Sequence, residues 1–119
     1  MKVLLIDDDA FLRDMYATKF RELGHEVTVA ENGAEALASL KENCPDVVLL
    51  DMVMPGMGGL EFLALAIEQV GKDATKFIVL SNQSDEVDKK KAEELGAVGY
   101  IVKAELIPSE VVSKVEALA

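Results

Sequence analysis

Val47-Val48-Leu49-Leu50-Asp51 is four apolar side chains in a row closed by an acid, with Pro55 and Gly56 shortly after. A β-strand with one wet face alternates apolar and polar residues, whereas a run with no alternation suits a strand buried on both faces, the usual state in a parallel sheet. Short runs rich in Val, Ile and Leu, mostly continuous rather than alternating, recur at residues 3–6, 27–30, 77–80 and 98–102. Between these runs, apolar residues fall three and four apart: Leu12, Met15, Tyr16 and Leu23; Leu37 and Leu40; Leu60, Leu63, Ile67 and Val70; Val111, Val112, Val115 and Leu118. Each set predicts an amphipathic helix. Gly24, Gly71 and Gly96 stand where left-handed caps are wanted, Asp9 and Ser84 where N-caps are, and Pro108 in a first helical turn. Residues 84–95 carry few apolar side chains (Val87, Ala92, Leu95), which predicts a weakly anchored helix.

Five strands, each followed by a helix, require right-handed crossovers and a parallel sheet covered on both faces, an α/β fold. Of the two common doubly wound orders, five strands suit 2-1-3-4-5, the flavodoxin-like (βα)5 arrangement, with one domain filling residues 1–119. Strands one and three are then neighbours. Ligands in such sheets bind beyond the carboxyl ends of the strands, where the winding reverses.

At 119 residues the chain can bury a core without disulfides or a structural metal. Twelve Lys and Arg against 22 Asp and Glu give a formal charge of -10, which opposes nonspecific binding to nucleic acid or an anionic membrane. The apolar residues at the N-terminus are too few for a signal peptide or a membrane span, so a cytoplasmic protein is expected. Cys44 is the single cysteine, expected to be a small buried hydrophobe in a reducing compartment. His25 falls in the turn at Gly24 rather than on a helix face, which argues against a phosphohistidine of the chain's own.

The residues after the strands carry the chemistry. They are Asp7, Asp8 and Asp9 after the first, Asp51 after the third, Ser81 after the fourth and Lys103 after the fifth. The edge strand is followed by Glu31, Asn32 and Gly33, an ordinary polar loop and helix cap. Asp9 suits an N-cap, but two further acids cannot both cap one helix. Carboxylates about 4 Å apart repel by about 4 kcal/mol at an effective dielectric near 20, and a hard divalent cation with oxygen ligands offsets that cost. Mg²⁺ fits best, and zinc lacks thiol and imidazole ligands here. Lys103 adds a mobile positive charge and Ser81 a hydroxyl, so the mouth of the sheet suits a phosphoryl dianion beside a cation. Asp51, alone at the end of the central strand, is the carboxylate placed to form an acyl phosphate.

These residues resemble the receiver domains of bacterial two-component response regulators: Ile6-Asp7-Asp8-Asp9, Asp51-Met52-Val53-Met54-Pro55 through Gly59, Leu80-Ser81, and Tyr100-Ile101-Val102-Lys103. The resemblance spans essentially the whole chain. It implies a switch rather than a turnover enzyme, with Asp51 taking a phosphoryl group from a phosphohistidine on a sensor histidine kinase or a histidine phosphotransfer protein. It further implies that Asp8, Asp51 and the backbone carbonyl of Val53 ligate Mg²⁺, that Asp7 acts through water, and that Lys103 bridges to the phosphoryl oxygens. Ser81 and Tyr100 are the implied switch residues, remodelling the face of the fourth helix, fifth strand and fifth helix for a downstream protein target. A stand-alone domain with no DNA-binding output is expected, either monomeric or a phosphorylation-dependent homodimer, the alternative being a domain of a longer protein.

Three departures from the family pattern stand out, the last of them a pair of positions. Ala104 replaces the usual proline after the lysine, often preceded by a cis bond, and a cis bond before a non-proline residue costs about 3 kcal/mol. Asn82 is bulkier than the small residue common there and narrows access. Val53 and Gln83 occupy the positions that admit or orient the hydrolytic water, and Val53 predicts slow self-dephosphorylation because it offers that water no polar partner. Among rival readings, a metal-dependent phosphatase expects an acid where Val53 stands, and a flavin carrier expects a hydroxyl- and glycine-rich loop where the three aspartates stand. A pseudo-receiver that docks partners without chemistry is the remaining alternative.

Overall fold

Parallel pairing follows from strands whose two faces are both apolar, since such strands can be covered only by helices that return the chain to the same edge. The computed structural model describes residues 1–71, 73–82 and 84–119. In chain order the elements are β1 (Lys2–Ile6), α1 (Ala10–Glu22), β2 (Glu26–Ala30), α2 (Gly33–Asn43), β3 (Val47–Leu50), α3 (Gly59–Val70), β4 (Lys76–Ser81), α4 (Glu86–Leu95), β5 (Gly99–Val102), a 3₁₀ turn (Lys103–Glu105) and α5 (Pro108–Leu118). The sheet is fully parallel with order β2-β1-β3-β4-β5, as the sequence predicts.

Successive residues of each strand point to opposite faces. Val3, Leu5, Val47, Leu49, Ile78, Leu80 and Ile101 pack with Tyr16, Ala17 and Phe20 of α1 and Val111, Val112 and Val115 of α5. Leu4, Ile6, Val48, Leu50, Phe77 and Val79 meet Ala36 and Leu40 of α2, Phe62, Leu63 and Ala66 of α3, and Ala92 of α4. α4 buries Ala92 alone and leaves Val87 62% exposed, so it is the thinly anchored helix its composition predicts.

Several local expectations change. The expected face of α1 holds for Tyr16, which is buried, and for Leu12 and Met15, which are half-buried against the same core, but its centre lies toward Ala17 and Phe20, and Leu23, the C-cap, is exposed. Asp85 rather than Ser84 caps α4, its Oδ1 accepting from the N–H groups of Val87 (2.9 Å) and Asp88 (3.2 Å). A carboxylate there also meets the positive end of the helix dipole. Cys44 is exposed, not buried: it ends α2 at φ 46°, in the left-handed region, because Pro45 disfavours right-handed helix at the residue before it and turns position 44 outward. Asp9, Asn32 and Pro108 take their expected capping and first-turn places, and Gly24, Gly71 and Gly96 have positive φ.

Gly59 is required by space rather than by torsion. A Cβ there would lie 2.5 Å from the carbonyl oxygen of Asp51 and 2.7 Å from Cα of Met52, both backbone atoms that cannot swing aside. α3 therefore starts hard against the peptide that follows β3. Gly59→Ala is expected to cost about 2 kcal/mol, as overpacking does, because the Asp51–Met52 peptide would have to move aside. Urea unfolding checks it, and a substitution with no effect would show that the two segments separate freely.

Candidate functional site

Register brings the acids together. Ile6 pairs with Leu50 across β1 and β3, so Asp7 and Asp51 emerge side by side, and the Asp51 N–H donates to the carbonyl of Ile6 at 3.2 Å. Asp7 and Asp51 are only 1% and 5% exposed, while Asp8 is exposed at the rim. One carboxylate oxygen from each of the three lies within 4.8 Å of the others.

Lys103, 8% exposed where the chain leaves β5, donates from Nζ to Asp7 Oδ2 at 2.7 Å and to Asp51 Oδ2 at 3.2 Å. The other Asp7 oxygen accepts from the Asp9 N–H at 2.9 Å, and Asp51 Oδ1 accepts from the Val53 N–H at 3.3 Å. The Lys103–Ala104 peptide is trans.

These surroundings set the charges. Burial pushes the Asp51 carboxyl above its ordinary range, against the lowering pull of Lys103 and the Val53 N–H, and Asp7 pushes it further up. Burial alone would lower Lys103, but its hydrogen bond to Asp7 and the charges of Asp51 and Asp7 carry it above its ordinary value, so it remains an ammonium. Beneath them Tyr16, 2% exposed, is raised chiefly by burial and keeps its proton.

A cleft of about 230 Å³ opens over this cluster, lined by Asp7, Asp8, Asp9, Leu12, Asp51, Val53, Asn82 and Lys103. Val53 is 74% exposed on its rim. Ser81 ends β4 and is 5% exposed. Tyr100 is half-buried, packs against the core under α2, α3 and α4, and lines a separate groove with Ser84, Lys89, Glu105, Leu106 and Lys114. Gln83 lies outside the described residues. His25 sits at the opposite end of the sheet, with Nε2 2.8 Å from Glu116 Oε2 and Nδ1 3.2 Å from the Met1 amine.

Arg13 is a site residue that strand-end chemistry does not reveal. Its guanidinium bonds the Asp7 carbonyl at 3.0 Å and lies 3.7 Å from Glu31. The usable signal is its spacing: three and four residues before Tyr16 and Ala17, it lies in line with the buried stripe of α1 and is itself partly buried, where a charged side chain needs a reason.

The donor set is all oxygen, three carboxylates and no nitrogen or sulfur, which fits a hard divalent cation. No helix is long and apolar enough to cross a membrane among the described residues.

Comparison with known proteins agrees with this arrangement. Residues 3–116 match the family described as the response regulator receiver domain. The DNA-binding response regulator MtrA of Mycobacterium tuberculosis is 34% identical over 116 residues, 98% of this chain and 49% of that protein. The transcriptional regulatory protein ResD of Bacillus subtilis is 37% identical over 117 residues, 98% of this chain and 47% of that protein. The chain thus spans about half the length of these relatives. The structure of chemotaxis protein CheY4 of Vibrio cholerae superimposes with a TM-score of 0.92 at 30% identity, covering 99% of this chain and 98% of that one. With the sheet order, the acidic cluster and the buried lysine in place, the chain belongs to the response regulator receiver domains of two-component signalling.

Proposed function

We propose that this receiver domain is switched by a phosphoryl group accepted on Asp51 from a phosphohistidine of a sensor kinase or a histidine phosphotransfer protein. The carrying observation is the position of the Asp51 carboxylate: 5% exposed, 3.2 Å from Lys103 and clustered with Asp7 and Asp8 under an open cleft. An Asp51 oxygen attacks phosphorus, the N–P bond of the phosphohistidine breaks, and the departing imidazole takes up a proton. Lys103 holds positive charge where the phosphoryl oxygens arrive, and Ser81 supplies a hydroxyl at the end of β4. Asp7, Asp8, Asp51 and the Val53 carbonyl would hold Mg²⁺. The ion supplies charge neutralisation for the incoming dianion.

The exposed, apolar Val53 offers no polar contact to a hydrolytic water, so the acyl phosphate is expected to last minutes or longer. Following loss of the added mass after removal of the donor tests this, and decay within seconds would contradict it. The thin anchoring of α4, with Tyr100 in the adjoining groove, supports a readout through the surface of α4, β5 and α5 toward a protein target. A formal charge of -10 favours protein contacts over nucleic acid for this segment, although two of its relatives carry names that refer to DNA binding or transcription.

Incubation with Mg²⁺ and acetyl phosphate, followed by intact mass, is the direct test. One added phosphoryl group that requires Mg²⁺ supports the proposal. No addition would favour a docking module without chemistry.

A further inference from the structure

The three clustered acids are not held alike. Asp7 is fixed by the Asp9 N–H and Lys103, and Asp51 by the Val53 N–H and Lys103. Nothing among the described residues hydrogen-bonds the carboxylate of Asp8, which is exposed at the rim. With no partner to hold it, where its Cα–Cβ bond starts and which rotamers it can take depend on its own backbone, above all on the peptide that joins it to Asp7. That peptide is clamped from below: Arg13 Nη1 donates to the Asp7 carbonyl oxygen at 3.0 Å.

The clamp is a costly arrangement. The Arg13 side chain is 11% exposed, its Nε is buried with no hydrogen-bond partner among the described residues, and its carboxylate neighbour, Glu31, is 66% exposed and 3.7 Å from Nη2. Burying a guanidinium with one donor unused is unfavourable unless the contact it makes is needed. A positive charge beside a cation site also opposes the cation. We propose that Arg13 is a positioning residue for the cation site, acting through the Asp7 carbonyl to aim the Asp8 carboxylate, with Glu31 steadying the guanidinium from the β2–α2 loop.

This inference rests on the proposal that the acidic cluster binds Mg²⁺, and the sign of the effect separates positioning from simple charge. If Arg13 acted only as a nearby charge, Arg13→Gln would bind Mg²⁺ more tightly and Arg13→Lys would match the parent. If it positions Asp8, both weaken binding, Arg13→Gln by about tenfold, the lower end of what loss of a ligand's supporting hydrogen bond costs, and Arg13→Lys by less, because its ammonium still donates to the carbonyl though without the rigid fork. The control is Arg21→Gln. Arg21 also lies on α1 and also bonds a backbone carbonyl, that of Val27 at 3.1 Å, but at the far end of the helix. A general loss of stability would affect it similarly, whereas positioning leaves its Mg²⁺ affinity within about twofold of the parent.

Calorimetric Mg²⁺ titration of the full chain, well below each protein's unfolding temperature, reads all four proteins. Weakened binding in the Arg13 variants with Arg21→Gln near the parent supports the proposal. A parent that binds and Arg13 variants that bind equally or better overturn it while leaving the metal site standing. A parent with no saturable Mg²⁺ binding overturns both. Should Arg13→Gln fail to fold, Arg13→Lys decides, weaker binding supporting the proposal and parental binding overturning it.

Discussion

An Asp51→Asn protein is expected to take up no phosphoryl group from acetyl phosphate and Mg²⁺, and at neutral pH to resist urea better than the parent by about 1 kcal/mol. The first half follows because a carboxamide of nearly the same shape has no anionic oxygen to attack phosphorus. The second follows from the charge balance, since Lys103 faces two buried carboxylates and prefers Asp7 (2.7 Å) to Asp51 (3.2 Å). The folded-state pKa of Asp51 is raised by burial, so its ionised form is disfavoured in the folded protein. The parent therefore keeps full stability from this group below the ordinary aspartate value of 3.8 and loses it as pH rises through the raised value. Asparagine cannot titrate. The stability gap between variant and parent should vanish near pH 4 and open toward pH 7. A gap independent of pH would remove the electrostatic explanation, and phosphoryl uptake by the variant would move the acceptor elsewhere.

Lys103→Met is expected to destabilise the protein by about 3 kcal/mol in EDTA, the scale seen when one partner of a buried ion pair is removed and the other charge is left behind. Asp7 and Asp51 would then face each other in the interior with no cation. Mg²⁺ should recover more stability in this variant than in the parent, because a ligand bound only by the folded state stabilises it by mass action. Phosphoryl uptake should fall by about a hundredfold, the lower end of what loss of one preorganised donor to a developing charge costs. The lysine is raised above its ordinary 10.5, so its ion pairs contribute throughout the neutral range and fade only in strong alkali. Unfolding in EDTA within 1 kcal/mol of the parent would show that water already screens the pair.

The legible part of the molecule is local in character. Apolar runs announce the strands, of which β1, β3 and β4 are buried along nearly their whole length while the edge strands β2 and β5 are only partly covered, and the polar residue closing a run follows from simple counting along the chain, so Asp7, Asp8, Asp51 and Lys103 can be gathered from the sequence. Sequence and structure part where two neighbouring choices satisfy the same local rule. Ser84 and Asp85 both make plausible caps, and the spacing that picks out Leu12, Met15, Tyr16 and Leu23 in α1 does not show that Ala17 and Phe20 join Tyr16 at the centre of the buried face. Cys44 departs from expectation because its exposure depends on the turn that Pro45 forces, not on its own apolar character.

The kind of sheet, and the acids and the lysine at its mouth, are properties of the linear chain, because backbone pattern and strand-end chemistry are set by adjacent residues. Three features of the site belong to the folded state instead: Lys103 lies closer to Asp7 than to Asp51, no side chain among the described residues holds Asp8, and Arg13 reaches under the Asp7 peptide. They depend on strand register and helix rotation. Both are fixed by packing among residues far apart in the chain, and no short stretch of sequence contains that information.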